Sequence, residues 1–246
     1  MKRAITLLAA AAIALTVARL SAQGQSSATP TVDQIIENYL TAIGGRAAVE
    51  KLTSRVSTGT FEIPDAGMTG TVTISEKAPN KSLAVIEIGG IGLIREGSDG
   101  TVAWAEEPGS GVRDKTGTEL ADGLRGSVFN AELKLKSLYK TVVVTGKESV
   151  EGKDAYVVLA TPDVGSANKL YFDVASGLMV RQSSTRDTPQ GPMDIDVQIG
   201  DYRVVDGVKV PFSVRQVSAM ATVVIRLTTV KHNVPVDDAI FKKPGF

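Results

Sequence analysis

The chain contains no cysteine and only one histidine, His232. Without cysteine there are no disulfides, no thiolate metal sites, no thiol nucleophile and no lipid-modified N-terminal Cys. One imidazole cannot build a histidine-rich metal site, and it leaves a single candidate for the commonest general base. Aromatic residues make up only 5% of the sequence, and Lys plus Arg (27) balance Asp plus Glu (27). A chain with no net positive field is a poor partner for a polyanion, so nucleic acid is excluded as an expected ligand. Hydrophobic residues at 43% and charged ones at 22% describe a chain that folds rather than a disordered one.

Only one apolar run approaches membrane length. Met1-Lys2-Arg3 precedes Ala4–Ala18, Arg19 ends the run, and Ser21-Ala22 follow. A basic start, a short apolar stretch and small residues describe a secretory signal peptide over residues 1–22, with Ala18 as the competing cleavage site. Cleavage after Ala22 leaves 24 basic side chains against 27 acidic ones, a net charge of −3. The exported chain is then expected in the periplasm with no transmembrane segment. Residues 23–30 (QGQSSATP) read as a flexible leader, and residues 31–246 as one domain.

That domain opens on Thr31, whose spacing to Gln34 fits a capping box. Val32, Ile35, Ile36, Tyr39, Leu40 and Ile43 then fall on one helical stripe, which Gly44-Gly45 ends. Beyond Thr53 the period changes to two. Met68, Val72 and Ile74 share a strand face, as do Ala84, Ile86 and Ile88, and then Val102 and Trp104. Thr116-Gly-Thr-Glu119 matches a second capping box, and Leu120, Leu124, Val128, Ala131, Leu135 and Leu138 continue at helical spacing. Glu151-Gly152, Ser176-Gly177 and Asp206-Gly207 mark hairpin turns. Ten to twelve strands joined mostly to their neighbours exclude a parallel α/β fold. The expected class is mainly β (α+β), a long antiparallel sheet that curls round a helix to protect its inner face.

Catalytic signatures are missing. No Walker loop, dinucleotide fingerprint, nucleophile elbow or zinc-protease motif occurs. Gly89–Gly92 reads as a bend between strands. Ser137-x-x-Lys140, Ser166-x-x-Lys169 and Lys115-Thr-Gly117 lie in the wrong order for a penicillin-recognising enzyme. Asp194 and Asp196 share a face without a third acid, which reads as a solvated strand rather than a metal site. His232 reads as a surface or hydrogen-bonded imidazole near the last strand, Ala221–Lys231. No cofactor, no metal and no catalytic residue is expected. Trp104, the single tryptophan, is either an ordinary core residue or part of a cavity wall.

Several segments, in order, resemble one family. Lys77-Ala-Pro-Asn80 is similar to the K-x-P-N strand end of the periplasmic lipoprotein carrier LolA and its relatives. Ser98-Asp-Gly100 with Trp104 and Pro108 resembles that family's S-D-G-x-x-x-W-x-x-x-P hairpin. The second half is similar to outer-membrane lipoprotein-sorting proteins, through Gly146–Gly152, Tyr171–Asp173, Ser176–Leu178, Asp201-Tyr202 with Asp206-Gly207, and Asn233–Pro235 through Phe241 to Pro244. The resemblance implies an open half-barrel with helices over its concave face and an acyl chain or lipoprotein as partner, passed between envelope donor and acceptor proteins. On it, Met68, Val72, Ile86, Ile88, Val102 and Trp104 are the expected lipid-binding wall, and Ile36, Tyr39, Leu40 and Ile43 the inner face of a lid helix. The latch arginine of the lipoprotein carrier is replaced here by Ala78, which favours a general lipid or lipoprotein carrier over lipoprotein sorting itself. The alternative is a non-enzymatic envelope structural or interaction module whose concavity is filled by its own side chains.

Overall fold

The structure is a computed structural model that describes residues 29–188 and 191–245. The expected signal peptide and most of the leader lie outside the described residues. Thr31 caps the first helix as its spacing predicts. Its Oγ1 accepts from the Gln34 amide at 3.2 Å, and its own amide donates to Gln34 Oε1 at 2.8 Å. Helix α1 (Val32–Ala42) buries Ile35, Ile36 and Leu40, and a short α2 (Arg46–Glu50) adds Val49. The end of α1 sits directly on a hairpin turn. A side chain at Gly44 would lie 2.3 Å from the Gly207 carbonyl oxygen, and Gly44 has φ +127°, so only glycine fits there.

Thirteen strands form one antiparallel sheet. The first meander is β1 (Ser54–Ile63), β2 (Met68–Lys77), β3 (Lys81–Ile88), β4 (Gly92–Ser98), β5 (Ala103–Glu107) and β6 (Gly111–Asp114). The second is β7 (Thr141–Val150), β8 (Lys153–Thr161), β9 (Asn168–Asp173), β10 (Met179–Thr188), β11 (Gly191–Val205), β12 (Val208–Ser218) and β13 (Thr222–His232). The order across the sheet is β6-β5-β4-β3-β2-β1-β13-β12-β11-β10-β9-β8-β7, open at both ends. Every pairing joins sequence neighbours except β1 with β13. Glu151-Gly152 and Asp206-Gly207 both adopt left-handed φ at their two central residues (51° and 80°; 51° and 82°), as type I′ hairpins require.

The sheet must curl. Ala103 on β5 and Arg186 on β10 line the same hollow, yet eight strand positions separate their strands. In a flat sheet they would stand about 40 Å apart at about 4.8 Å per strand. The inner face carries the helices. Ile36, Leu40, Ile43, Val49, Leu52 and Phe129 pack on Val208, while Ile35 packs on Val158, Ala160, Leu170 and Phe172. Each such buried aliphatic side chain contributes about 1.5–3 kcal/mol.

The second expected helix is broken. Helix α3 (Gly117–Gly126) ends early, a 3₁₀ turn follows at Ala131–Leu133, and α4 spans Leu135–Leu138. Asn130 takes φ +52° and spends its amide on the Val49 and Leu52 carbonyls, at 2.9 and 3.4 Å, which ends helical continuity. Thr116 stands at the N-cap position of α3 but its side chain makes no capping hydrogen bond, and Glu119 pairs instead with Arg113 at 2.7 Å.

The outer face is covered too. A 3₁₀ turn, Asp238–Phe241, lays a fully buried Phe241 against Leu83 and Trp104. Lys77 and Lys81 hold Asp238 at 2.8 and 2.7 Å.

Candidate functional site

Between α3 and the two arms of the sheet lies a hollow of about 570 Å³. Its apolar walls come from both arms: Ile74, Ala84 and Ala103 on one side, Met193 and Ile195 on the other. Ile74 also belongs to a cluster built on Phe61, Val72 and Ile88, flanked by Met68, Ile86, Ile94, Val223 and Ile225. Register places these on one face. Val72 lies opposite Ile86, Ile74 opposite Ala84 and Gly70 opposite Ile88. The hollow therefore continues into an apolar wall.

Much of its remaining lining is polar or charged, and most of the charges are paired. Arg113 meets Glu119, Lys115 meets Glu96 at 3.0 Å, and Arg125 meets Asp122 behind the lining. At one end stands Glu76, which takes a two-point grip from Arg55, Nε at 2.6 Å and Nη2 at 2.9 Å. The Arg55 guanidinium lies 5.8 Å over the Phe129 ring. Burial works against its charge, but the Glu76 carboxylate outweighs burial and holds the guanidinium protonated. Glu132 and Tyr39 act on Arg55 electrostatically, but neither lines the hollow, and Tyr202 lines a separate one. Burial raises Glu132 above the ordinary carboxylate range, and burial pushes Tyr202 up to about 12. Tyr202 donates its hydroxyl to the Met179 carbonyl at 2.8 Å. Tyr39 meets the Phe172 ring edge-on, 5.4 Å between centroids.

The expected site residues divide. Met68, Val72, Ile86 and Ile88 share the inner face and pack together beside the hollow, although none of them lines it directly. Trp104 stands on the opposite face. It pairs with Gly97 and Asp114, is buried under the C-terminal turn, and donates its indole N–H to the Phe241 carbonyl at 3.0 Å. Period-two alternation separates two faces without saying which is inner, and here both are covered. Val102 lies in the turn before β5, 39% exposed, its amide donated to Asp99. It shares no inner face with anything. Of the helix set, Ile36, Leu40 and Ile43 are buried against the sheet and Tyr39 packs, partly buried, on the same clusters, so none of the four lines the hollow.

Sequence reasoning missed Glu76, which lines the hollow, and its partner Arg55. The available signal was a charge at the end of an apolar stripe, Val72-x-Ile74-x-Glu76, facing Arg55 across the strands. Elsewhere, Asp196 pairs with Arg181, and Asp194 accepts from the Thr185 hydroxyl at 2.7 Å. His232 is buried, with Nδ1 3.3 Å from Asp206; burial lowers its pKa. The two family-like motifs of the first half touch, since Asn80 donates to the Gly100 carbonyl at 3.2 Å.

No protein-family model matches the chain, and no curated protein matches it. Solved structures do. A LolA superfamily protein from Nitrosomonas europaea superposes with a TM-score of 0.58 at 16% identity, over 87% of this chain and 99% of that one. An outer membrane lipoprotein-sorting protein domain from Vibrio parahaemolyticus gives 0.59 at 12% identity, over 85% and 96%. A DUF1329 family protein from Desulfovibrio piger gives 0.58 at 15% identity, over 87% and 98%. The chain has a LolA-like fold, as its motifs led one to expect. Among the described residues, no helix is long and apolar enough to cross a membrane.

Proposed function

We propose that this protein is an exported, non-enzymatic carrier that holds the acyl chain of a lipid or lipoprotein inside its half-barrel. The observation that carries the reading is the hollow itself. At about 570 Å³ it lies within the 300–1,000 Å³ range of ligand sites, and the apolar cluster on Phe61, Val72 and Ile88 adjoins it. A module filled by its own side chains would leave no such space. In this reading Met68, Val72, Ile86 and Ile88 back the acyl chain, and α3 covers it from the helix side. The signal-like start over residues 1–22 supports the periplasm as its compartment, and envelope membranes or proteins as donor and acceptor. Ala78, in place of the latch arginine, favours a general lipid carrier over lipoprotein sorting.

Each buried methylene contributes about 0.8 kcal/mol, so a chain of modest length offsets the several kcal/mol of freedom lost on binding. Titration with a fluorescent fatty acid, together with native mass spectrometry of protein from its own envelope, tests the reading. Saturable uptake is expected. Ala84→Phe, which puts a ring into the hollow, should weaken it at least about tenfold, equivalent to about 1.4 kcal/mol. No saturable uptake by the unmodified protein would refute the carrier reading.

A further inference from the structure

We propose that the cargo is an acidic amphiphile, an acyl chain ending in a carboxylate or a phosphate, and that Arg186 at the mouth of the hollow is the subsite for its charged end. The inference rests on the carrier reading and names the class of ligand that the hollow takes.

Eight charged side chains line the hollow, five acids and three bases. Four of the acids are already held: Glu76 by Arg55, Glu96 by Lys115, Glu119 by Arg113 and Asp122 by Arg125. The fifth, Glu107, shares a face with Arg113, since Ala105 lies opposite Arg113 and Glu107 opposite Gly111. Such diagonal neighbours stand about 7–8 Å apart, so Glu107 remains in the field of its own arm's cation. Arg186 is the exception. Among the described residues its guanidinium has no carboxylate within ion-pair distance and makes no hydrogen bond. It stands on the second arm, so the charge that a ligand meets unneutralised there is positive.

Register puts Arg186 at one end of the hollow and Glu76 at the other. Arg186 lies opposite Met193, and Ile195 lies opposite Ser218, the last residue of β12. Beside it β13 starts and pairs with the end of β1; β2 begins there, and Glu76 lies near the far end of β2. Met220, in the turn after β12, also lines the hollow and is 71% exposed, which marks this end as the mouth. Arg186 is exposed too, so its charge carries no desolvation cost while the hollow is empty. From Arg186 the inner face runs over Met193 and Ile195, and Ile74 on the facing arm leads to Phe61, Val72 and Ile88. An acid anchored at the mouth therefore points its chain at the apolar wall and keeps its charge away from Glu76. The guanidinium offers two parallel N–H donors to carboxylate or phosphate oxygens. A neutral ester gains nothing there.

The test compares three C12 probes on the full chain: laurate, monododecyl phosphate and the uncharged methyl laurate. The unmodified protein should bind at least one acidic probe about threefold or more tighter than methyl laurate, the scale of one partly exposed charge pair. Added salt should shrink that difference. The tighter of the two acids tells a carboxylate ligand from a phosphate one. Arg186→Gln should erase the preference and leave methyl laurate binding unchanged. Arg186→Lys, which keeps the charge but not the fork, should retain part of it. Lys231→Gln, which removes an equal charge from an exposed position on β13, should retain all of it. Equal binding of acidic and neutral probes, survival of the preference in Arg186→Gln, or its loss in Lys231→Gln would overturn the subsite. So would a parallel loss of methyl laurate binding in Arg186→Gln, which would make the residue structural. Binding of none of the three by the unmodified protein would instead remove the carrier reading, and this inference with it.

Discussion

Phe241→Ala is the sharpest probe of how the outer face is closed. Phe241 is fully buried against Leu83 and Trp104, five residues from the chain end. Emptying a core phenylalanine site costs about 3–5 kcal/mol when the surroundings cannot collapse. Here the last segment can also lift away, because apart from the ring it is held mainly by contacts near the surface: the Asp238 ion pairs, Lys77 on the Val236 carbonyl, Lys243 on Asp114 and the Trp104–Phe241 bond. Release caps the loss near the lower figure, about 3 kcal/mol. For a domain of this size that is a fall of about 6–12 °C in Tm. Trp104 is the only tryptophan, so its emission reports this contact directly. The variant should lose stability in urea and shift its emission to the red. Ligand filling the hollow should leave the emission nearly unchanged, since Trp104 lies on the other side of the sheet. An unchanged midpoint and an unshifted spectrum would refute the placement of Phe241 over Trp104.

Two further outcomes follow from the charges. Glu76→Gln leaves the Arg55 guanidinium enclosed without its counter-charge. Such a break costs about 3–5 kcal/mol in a dry interior, and the lower end applies at this partly accessible pair; urea unfolding should show it, and Arg55→Met combined with Glu76→Leu should recover most of the loss. The Asp238 carboxyl is held down to about 2 by its hydrogen bonds to Lys77 and Lys81. A depressed carboxylate stabilises above its unfolded pKa, ordinarily 3.8, and that contribution is lost as pH falls through about 2. The stability difference between the unmodified protein and Asp238→Asn should therefore be constant above about pH 5 and shrink toward pH 2.

Features decided by a few adjacent residues were legible in the sequence. The Thr31–Gln34 cap and the Glu151-Gly152 and Asp206-Gly207 turns formed as their spacing dictates, because each is a local hydrogen-bond or φ requirement. The break at Asn130 was not legible, because it depends on Val49 and Leu52 carbonyls far away in sequence. The Thr116–Glu119 pattern failed for the same reason, a competing partner in Arg113. Trp104 was assigned to the wrong side because alternation carries no inside or outside. The distant C-terminal turn turned an outward-facing position into core. Glu76 and its partner Arg55 went unnoticed because a charge facing an interior hollow obeys the same pattern as a charge facing solvent. The strand count came out at 13 rather than ten to twelve.

The two free edges of the sheet, β6 and β7, are consecutive in sequence. Residues 115–140 run between them across the inner face. On the way α3 touches β5 and β10, and Leu135 and Tyr139 dock beside Val158 and Ala160. The sheet is a bow and this segment is its string. The string's length, more than the stiffness of the strands, then sets how far the arms stand apart. Each residue removed from an extended stretch draws them in by up to about 3.5 Å, and each helical residue by about 1.5 Å. The width between the arms in this architecture becomes a property of one connecting segment, adjustable without touching the thirteen strands it spans.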